Sequence, residues 1–274
     1  MKSPLKLAVF GDPVEHSLSP QIHSHFGLEL GLKVDYGRAR CSIEELPGQM
    51  ARFAQAGGSG ANLTVPLKQA GLRLCGQLDR AARQARAVNT LKWVDGQWHG
   101  HNTDGAGLLL DLNRLNLPLA NARILIIGAG GATAGVLGPL MAAMPARIHI
   151  VNRTEKRALA LAERFDHLGP ISAGGLDQIP EKTEFDLLLQ ATSLGHAGQL
   201  PPLHGEWLSP QAQIYDLNYG PAHQPLALWC QEQGRRCNDG LGMLVGQAVL
   251  AFEIWTGQRP AIEGVLERLR AEVG

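Results

Sequence analysis

Arg123-Ile124-Leu125-Ile126-Ile127-Gly128-Ala129-Gly130-Gly131-Ala132 is an apolar run that stops at a cluster of glycines. Such a run reads as a buried strand turning sharply into a helix. A turn of this kind can seat a dinucleotide pyrophosphate, because the first N–H groups of a helix have no partner within it and glycines let phosphate oxygens reach them. The pattern departs from G-x-G-x-x-G: Thr133 stands where the third glycine falls, with small Ala132 beside it and Gly135 just beyond. Taken alone, the motif is equally well explained by glycines that pack a helix onto a sheet. Its position says more. Roughly 120 residues precede it and roughly 140 follow, enough on the near side for a domain in itself.

Downstream, Arg147 to Val151 reads as the next parallel strand, ending in Asn152-Arg153-Thr154 and followed by a helix from Glu155 to Phe165. An NAD site of this type expects Asp or Glu about 20 residues beyond the first glycine, bonding the ribose 2′-hydroxyl. Here Asn152 and Arg153 occupy that region, with Arg157 one turn on. Two cations and no acid suit a 2′-phosphate, hence NADP. Phe185 to Gln190 is a further buried strand ending in Ala191-Thr192-Ser193, and Gln213 to Leu217 another, ending in Asn218-Tyr219-Gly220-Pro221. Leu226 to Gly234 reads as a helix and Arg235 to Asn238 as an edge strand. Asp239-Gly240-Leu241-Gly242-Met243-Leu244 opens a long apolar helix to Trp255, and Pro260 to Val273 is the last helix.

Upstream, Leu5 to Phe10 is a first strand closed by Gly11-Asp12-Pro13. In Glu15-His16-Ser17-Leu18-Ser19-Pro20, Pro20 suits the first position of a helix reaching about Leu30, with Ser19 as its N-cap. A cap needs one hydroxyl, and Ser17 supplies a second, so the loop is a candidate binder of an anion or hydroxyl. Val34 to Arg40 is a second strand and Pro47 to Ala56 a second helix. Gly60 to Thr64 is a third strand, and Val65-Pro66-Leu67-Lys68 carries it into a helix. Asn62, Thr64 and Lys68 thus gather at a strand's carboxyl end, where ligands of open α/β sheets collect. Position alone leaves Lys68 readable as a solvated lysine. Helical periodicity covers Leu78 to Ala87. Asp95-Gly96 between Val88–Trp93 and Gln97–His101 signals a two-residue hairpin, which runs into Asn102-Thr103-Asp104-Gly105 and then a connecting helix stopped before Pro118.

With 25 basic and 25 acidic residues, 45% hydrophobic and 18% charged, the chain has ordinary globular composition and no net charge. That gives no electrostatic case for nucleic acid or an anionic membrane and favours a small-molecule ligand. Neither a leader-like apolar region after Met1-Lys2-Ser3-Pro4 nor an 18-residue apolar run is present, which reads as a cytoplasmic chain. Cys41, Cys75, Cys230 and Cys237 form no C-x-x-C and fit reduced, structural thiols. His23-x-His25 and His99-x-His101 lack the context of a metal site, so none is expected.

Taken together, Gly11 to Pro20, Gly60 to Lys68, Ala87-Val88-Asn89-Thr90-Leu91, Asn102 to Gly105, the glycine turn, Asn152-Arg153-Thr154, Ala191-Thr192-Ser193 and Asp239 to Val245 with Gln247 closely resemble the shikimate dehydrogenase family. The resemblance covers nearly the whole chain. It implies an α/β protein with an N-terminal α/β substrate domain (1–104), a connecting helix (105–120) and a Rossmann-type NADP-binding domain (121–238). The C-terminal helices (239–274) would return to the first domain, with the substrate in a cleft between the two. The implied reaction is reduction of 3-dehydroshikimate to shikimate with NADPH, a step of aromatic biosynthesis. Lys68 and Asp104 would form the catalytic pair. Ser17 and Ser19 would hold the substrate carboxylate, and Asn62, Thr64, Asn89, Asp104, Tyr219 and Gln247 would surround the ring. The cofactor would contact Gly128, Ala129, Gly130, Gly131, Ala132, Asn152, Arg153, Thr154, Arg157, Thr192, Ser193, Leu217, Gly240 and Met243. Ala134, Gln190, Ser24 and Gln224 stand where this family usually has arginine, asparagine, asparagine and threonine.

The residue types suit the step. Ketone reduction needs a hydride on carbon and a proton on oxygen, and an ammonium can stabilise the developing alkoxide and supply that proton. Amide and hydroxyl groups suit a polyhydroxylated ring, and a site built from them rejects analogues lacking hydroxyls. Two other readings stay open: a paralogue that also accepts quinate or NAD, and a sensing module that binds such acids without turnover. A homodimer also stays open.

Overall fold

The computed structural model describes residues 4–180 and 184–273. Met1-Lys2-Ser3, on which the expectation about a leader partly rests, and Gly274 lie outside the described residues. The chain divides into two compact units, one made of Met1–Gly107 with Val245–Glu272, the other built on Leu108–Leu244. The divisions fall inside two helices, Asp104–Arg114 and Leu241–Thr256.

In the first unit, β1 (Leu5–Gly11), α1 (Ser19–Glu29), β2 (Val34–Arg40), α2 (Leu46–Gln55) and β3 (Gly60–Leu63) alternate. They are followed by β4 (Cys75–Leu78), α3 (Arg80–Ala85), β5 (Thr90–Val94), β6 (Gln97–His101) and the start of α4 (Asp104–Arg114). The sheet runs β2-β1-β3-β5-β6-β4. Strands β2, β1 and β3 are parallel, whereas β5 is antiparallel to β3 and β6 to β5. The Asp95-Gly96 turn has positive φ at both residues, 48° and 81°, the geometry that matches the twist of a two-residue hairpin. Phe10, Leu46, Met50, Leu63 and Trp98 pack one face of this sheet.

In the second unit, β7 (Arg123–Ile127), α5 (Gly131–Ala142), β8 (Arg147–Val151), α6 (Glu155–Phe165) and β9 (Ile171–Gly174) come first. Then follow β10 (Phe185–Gln190), β11 (Leu208–Asp216), α7 (Gln224–Glu232) and the two-residue β12 (Cys237–Asn238). All six strands are parallel, in the order β12-β11-β10-β7-β8-β9. Chain order reverses between β7 and β10, the switch point of a Rossmann-type sheet. Apolar and polar residues do not alternate along β7 because both of its faces are covered: Ile124 and Ile126 enter one core and Leu125 and Ile127 the other. Helix α6 buries Ala158, Leu161, Ala162 and Phe165, an i, i+3, i+4, i+7 stripe.

Helices α8 (Leu241–Thr256) and α9 (Glu263–Val273) end the chain. The end of α8 is fastened to the first unit's sheet: Trp255 Nε1 donates to Leu91 O at 2.8 Å and Lys92 Nζ to Ile254 O at 2.6 Å. The expected α/β architecture with a Rossmann-type second half and returning C-terminal helices is therefore the observed one.

Several local expectations need correction. Ser19 is not the N-cap of α1; the helix already includes it, and Leu18 holds the cap position without a side-chain bond. Proline is tolerated in the first turn beyond the first position, because its missing N–H is orphaned there anyway. Lys68 lies in a run of turns ahead of a short 3-10 helix, Ala70–Leu74, not in a continuous α-helix. The Leu78–Ala87 segment is shared between the end of β4 and α3, whose cap Asp79 accepts from Ala82 N at 2.6 Å. Helix α5 begins at Gly131, directly at the glycine turn.

Candidate active site

In the first unit, the residues at the carboxyl ends of β3 and those flanking β5 meet the N-terminus of α4. Lys68 Nζ donates to Asp104 Oδ2 at 2.6 Å. The lysine side chain is 31% exposed and the aspartate 10%, so the pair is open to solvent mainly at the lysine. Asp104 is the first residue of α4, where the helix dipole favours an anion. Its backbone N–H donates to Asn102 Oδ1, and its Oδ1 accepts from Asn89 Nδ2 at 2.8 Å. Asn89 is itself fixed from both ends, because Thr103 N and Thr90 Oγ1 donate to its Oδ1 and its Nδ2 also faces Gln247 Oε1 at 3.4 Å.

The network continues across the sheet. Asn62 Nδ2 donates to Asn89 O and Thr90 Oγ1, both at 3.1 Å, and Tyr36 OH donates to Asn62 Oδ1 at 2.6 Å. Tyr36 in turn contacts the Ser19 side chain, and Ser17 Oγ donates to Ser19 Oγ at 3.2 Å. Burial pushes the Tyr36 phenol far above its ordinary range, so it stays a neutral donor. Arg38 clamps the serine loop through Nη2 to Ser17 O at 2.7 Å. The structure thus joins Lys68, Asp104, Asn89, Gln247, Asn62, Ser19 and Ser17 in one polar chain. Thr64 sits just beyond β3, its N–H donating to Phe10 O and its methyl against Gly11.

Beneath this chain lies His23, fully buried and stacked 4.6 Å from the Tyr36 ring at 7°. Neither of its nitrogens has a hydrogen bond of ordinary geometry, and Asn62 offers only a weak opposing contact. Burial drives its pKa down to about 3, so the ring is neutral.

The second unit gathers the other group of expected residues at the carboxyl ends of β7, β8, β10 and β11. Gly128 has φ +112°, a conformation that L side chains rarely adopt, and a Cβ there would press within 3.0 Å of the Ala191 backbone. Thr133, in the third-glycine position, bonds through Oγ1 to Gly128 O at 2.7 Å and so holds the turn whose pattern it interrupts. At Gly130 and Gly131, by contrast, an added Cβ would meet no protein atom within 4 Å. The backbone there borders open space, and Gly130, Gly131 and Ala132 are all exposed at the N-terminus of α5. These groups fit a pyrophosphate held by backbone N–H donors.

Asn152 ties that turn to the basic one: its Oδ1 accepts from Ala129 N at 3.2 Å and its Nδ2 donates to Thr154 O at 3.0 Å. Arg153 and Arg157 are exposed beside it. Gln190 is buried and its Oε1 accepts from Thr192 N at 2.5 Å, while Asn218 Nδ2 donates to Thr192 O at 3.0 Å, so the Thr192-Ser193 loop is held from two strands. Leu217 N donates to Gln190 O, Gly240 N to Asn218 O and Met243 N to Tyr215 OH. Tyr219 belongs to this unit, ahead of the 3-10 turn Gly220–Ala222, and burial raises its phenol pKa.

Sequence reasoning missed Tyr36, Arg38, Thr90 and Asn102 in the first unit and Thr133, Asp216 and Asn218 in the second. Asn102 lies in a quoted motif and is recognisable as an Asx turn ahead of a helix. Tyr36 carries no such signal, since it reaches Asn62 across an intervening strand. No group of three or more His, Cys, Asp or Glu among the described residues could hold a metal ion, and no helix among them is long and apolar enough to cross a membrane.

Among known proteins, three family models match: the shikimate dehydrogenase substrate binding domain over residues 9–91, shikimate/quinate 5-dehydrogenase over 111–197, and the shikimate 5′-dehydrogenase C-terminal domain over 240–270. An Ael1 enzyme from Pseudomonas putida is 37% identical, with a TM-score of 0.91 over 97% of this chain and 98% of its own. Shikimate 5-dehydrogenase from Thermus thermophilus, solved with NADP(H) and shikimate, is 36% identical, with a TM-score of 0.85 over 97% of this chain and 99% of its own. A 5-ketofructose reductase of Gluconobacter is 26% identical, with a TM-score of 0.86 over 98% and 99%. With similarity of this extent running through both sheets and the returning helices, the chain belongs to the shikimate dehydrogenase family of oxidoreductases.

Proposed function

We propose that this chain reduces 3-dehydroshikimate to shikimate with NADPH, reversibly. The observation that carries the reading is the Lys68–Asp104 pair, prealigned at 2.6 Å and continuous with a row of amide and hydroxyl groups. NADPH bound at the glycine turn would supply the hydride. Lys68 stabilises charge developing on the substrate oxygen and delivers the proton there from Nζ. Asp104 keeps the ammonium aimed, and Asn89 keeps Asp104 aimed by donating to the oxygen that Lys68 does not use. Asn62, Thr64, Asn89 and Gln247 read the ring hydroxyls, and Ser17 and Ser19 take the carboxylate. Family resemblance adds Tyr219 to the ring-binding set.

On the cofactor side, the backbone N–H groups from Gly128 to Ala132 would hold the pyrophosphate, with Arg153 and Arg157 on the 2′-phosphate and Asn152 and Thr154 shaping their turn. Thr192, Ser193, Leu217, Gly240 and Met243 would border the nicotinamide. The Thermus thermophilus relative, solved with NADP(H) and shikimate, supports both ligand assignments.

The test is loss of reduced-nicotinamide absorbance with purified protein and 3-dehydroshikimate, and the reverse reaction with shikimate or quinate and NADP or NAD. Turnover fastest with shikimate and NADP is expected. Preference for quinate or NAD would replace the reading by the broader paralogue, and tight shikimate binding without turnover by the sensing module.

A further inference from the structure

A second cluster of reactive groups lies in the Rossmann-type unit. Cys237, in β12, has its Sγ 3.6 Å from His223 Nε2. The other ring nitrogen of His223, Nδ1, lies 3.1 Å from Asp216 Oδ2. Asp216 is completely buried and its second oxygen is occupied, accepting from Asn218 N at 3.0 Å and Asn218 Nδ2 at 2.9 Å. Carboxylate, imidazole and sulfur thus stand in line, the arrangement that activates a nucleophile through a fixed base. Packed with Cys237 in the same cluster is the buried Cys230 on α7, its thiol close enough to perturb that of Cys237. Cys230 is 1% exposed, whereas Cys237 is partly open.

We propose that Cys237 is a hydroperoxide-reactive thiol that closes reversibly to a disulfide with Cys230. In the first step the Cys237 thiolate attacks the terminal oxygen of the hydroperoxide. The S–O bond forms, the O–O bond breaks, and the alkoxide or hydroxide that leaves takes a proton from the His223 imidazolium. In the second step the Cys230 sulfur attacks the sulfenic sulfur. The S–S bond forms, the S–O bond breaks, and hydroxide leaves with the Cys230 proton as water. The two sulfurs give up two electrons, and one hydroperoxide becomes one alcohol, or water, plus one water.

The surroundings favour this pair over the rest of the chain. The Cys230 thiol, together with the bond from His223, lowers the Cys237 pKa against the opposing effect of burial. Burial alone would lower that of His223, but its bonds to Asp216 and Cys237 outweigh this and hold it up at about 9. Arg235 and Asp216 are the charges near Cys230, acting in opposite directions. Cys41 and Cys75 are the opposite case, because burial raises both and each thiol donates to a backbone carbonyl, Ser42 O and Gly71 O. A partly open attacking thiol next to a buried second thiol is the order that peroxide sensing requires. A metal site is not the alternative, since among the described residues no group of three or more His, Cys, Asp or Glu could hold a metal ion.

The experiment is brief exposure of the reduced full-length protein to near-stoichiometric hydrogen peroxide, followed by alkylation and peptide mapping. A linked Cys230–Cys237 pair, restored by dithiothreitol, is expected, with Cys41 and Cys75 still free. In Cys230→Ser a dimedone-type probe should capture a sulfenic acid at Cys237. In His223→Gln the reaction at Cys237 should slow by about ten-fold, because the thiolate fraction near neutral pH falls while nucleophilicity changes less. The wild-type map decides even where a variant folds poorly. Oxidation of Cys41 or Cys75 as fast as Cys237, or a Cys237 no faster than free glutathione, would overturn the proposal.

Discussion

The two sheets offer ligands different parts of the polypeptide. At the strand ends of the first unit, side chains face the site, already bonded to one another from Ser17 to Lys68. At those of the second, the site is mostly backbone, with exposed glycines at a helix start and cations only at its margin. The difference follows what each would bind. A ring bearing several hydroxyls and a carboxylate is told from its analogues by placed donors and acceptors. A pyrophosphate is the same in every nucleotide and needs only N–H groups and room. One half is therefore sensitive to nearly any side-chain change, the other to added bulk.

The largest expected effect is at the end of the first unit's chain. Lys68→Ala should lower kcat by about 10²–10⁴, the range for removing a positioned acid or base, with NADPH affinity nearly unchanged. Steady-state kinetics with a separate cofactor titration check this, and near-full turnover would remove Lys68 from the mechanism. On the second unit, Arg153→Ala should weaken NADPH by roughly 10- to 150-fold, the worth of one charge-assisted bond, and leave NADH almost unaffected. If titrations showed both cofactors weakened equally, Arg153 would serve the pyrophosphate or the fold and not the 2′-phosphate.

A smaller effect should follow from Ser17→Ala with Ser19→Ala. KM for shikimate should rise about ten-fold if the pair contributes one net hydrogen bond to a charged group, with kcat kept. Because Ser17 Oγ accepts from Ser19 N at 3.3 Å, at the first residue of α1, the double change should also cost about 0.5–2 kcal/mol of stability, read as a modest fall in melting temperature. Equal loss with a methyl-ester analogue would show that the hydroxyls do not read the carboxylate.

A further expected effect concerns acid and stability, not catalysis. The unfolded chain protonates His23 near pH 6.5, but the folded ring does so only near pH 3. The unfolded state therefore binds more protons in that window, so stability is full above about pH 6.5 and falls as pH drops towards 3, by about 2 kcal/mol at pH 5. Urea titrations at pH 7 and pH 5 should show this loss, and His23→Phe should remove most of it. An unchanged pH dependence in His23→Phe would place the acid-labile group elsewhere.

What can be read from the chain follows the same division. The glycine turn, Arg153 and the Asp95-Gly96 hairpin are legible because each places a conformational or charge requirement within a few neighbouring residues. The Tyr36–Asn62 bond and the approach of Gln247 to Asn89 are not, since each joins segments far apart in sequence; Gln247 is expected only through family resemblance. Short elements also escape. Cys75-Gly76-Gln77-Leu78 forms β4 with no β-branched residue to mark it. Thr133 reads as a defect in the glycine motif and is one of its supports.

The fastening of Trp255 and Ile254 to β5 bears on how the chain is made. Residues 245–272 complete a unit whose other part, 1–107, leaves the ribosome first. At synthesis rates of about 5–20 residues per second, the intervening segment alone occupies on the order of ten seconds. During that interval Leu7 lacks Ala251 and Trp255, its partners in the finished core, while the second unit is contiguous and can close as it emerges. A chain stopped after Leu244 should therefore keep cooperative unfolding in the second unit and show an exposed, protease-sensitive first one. The middle of the chain would be the first part to fold.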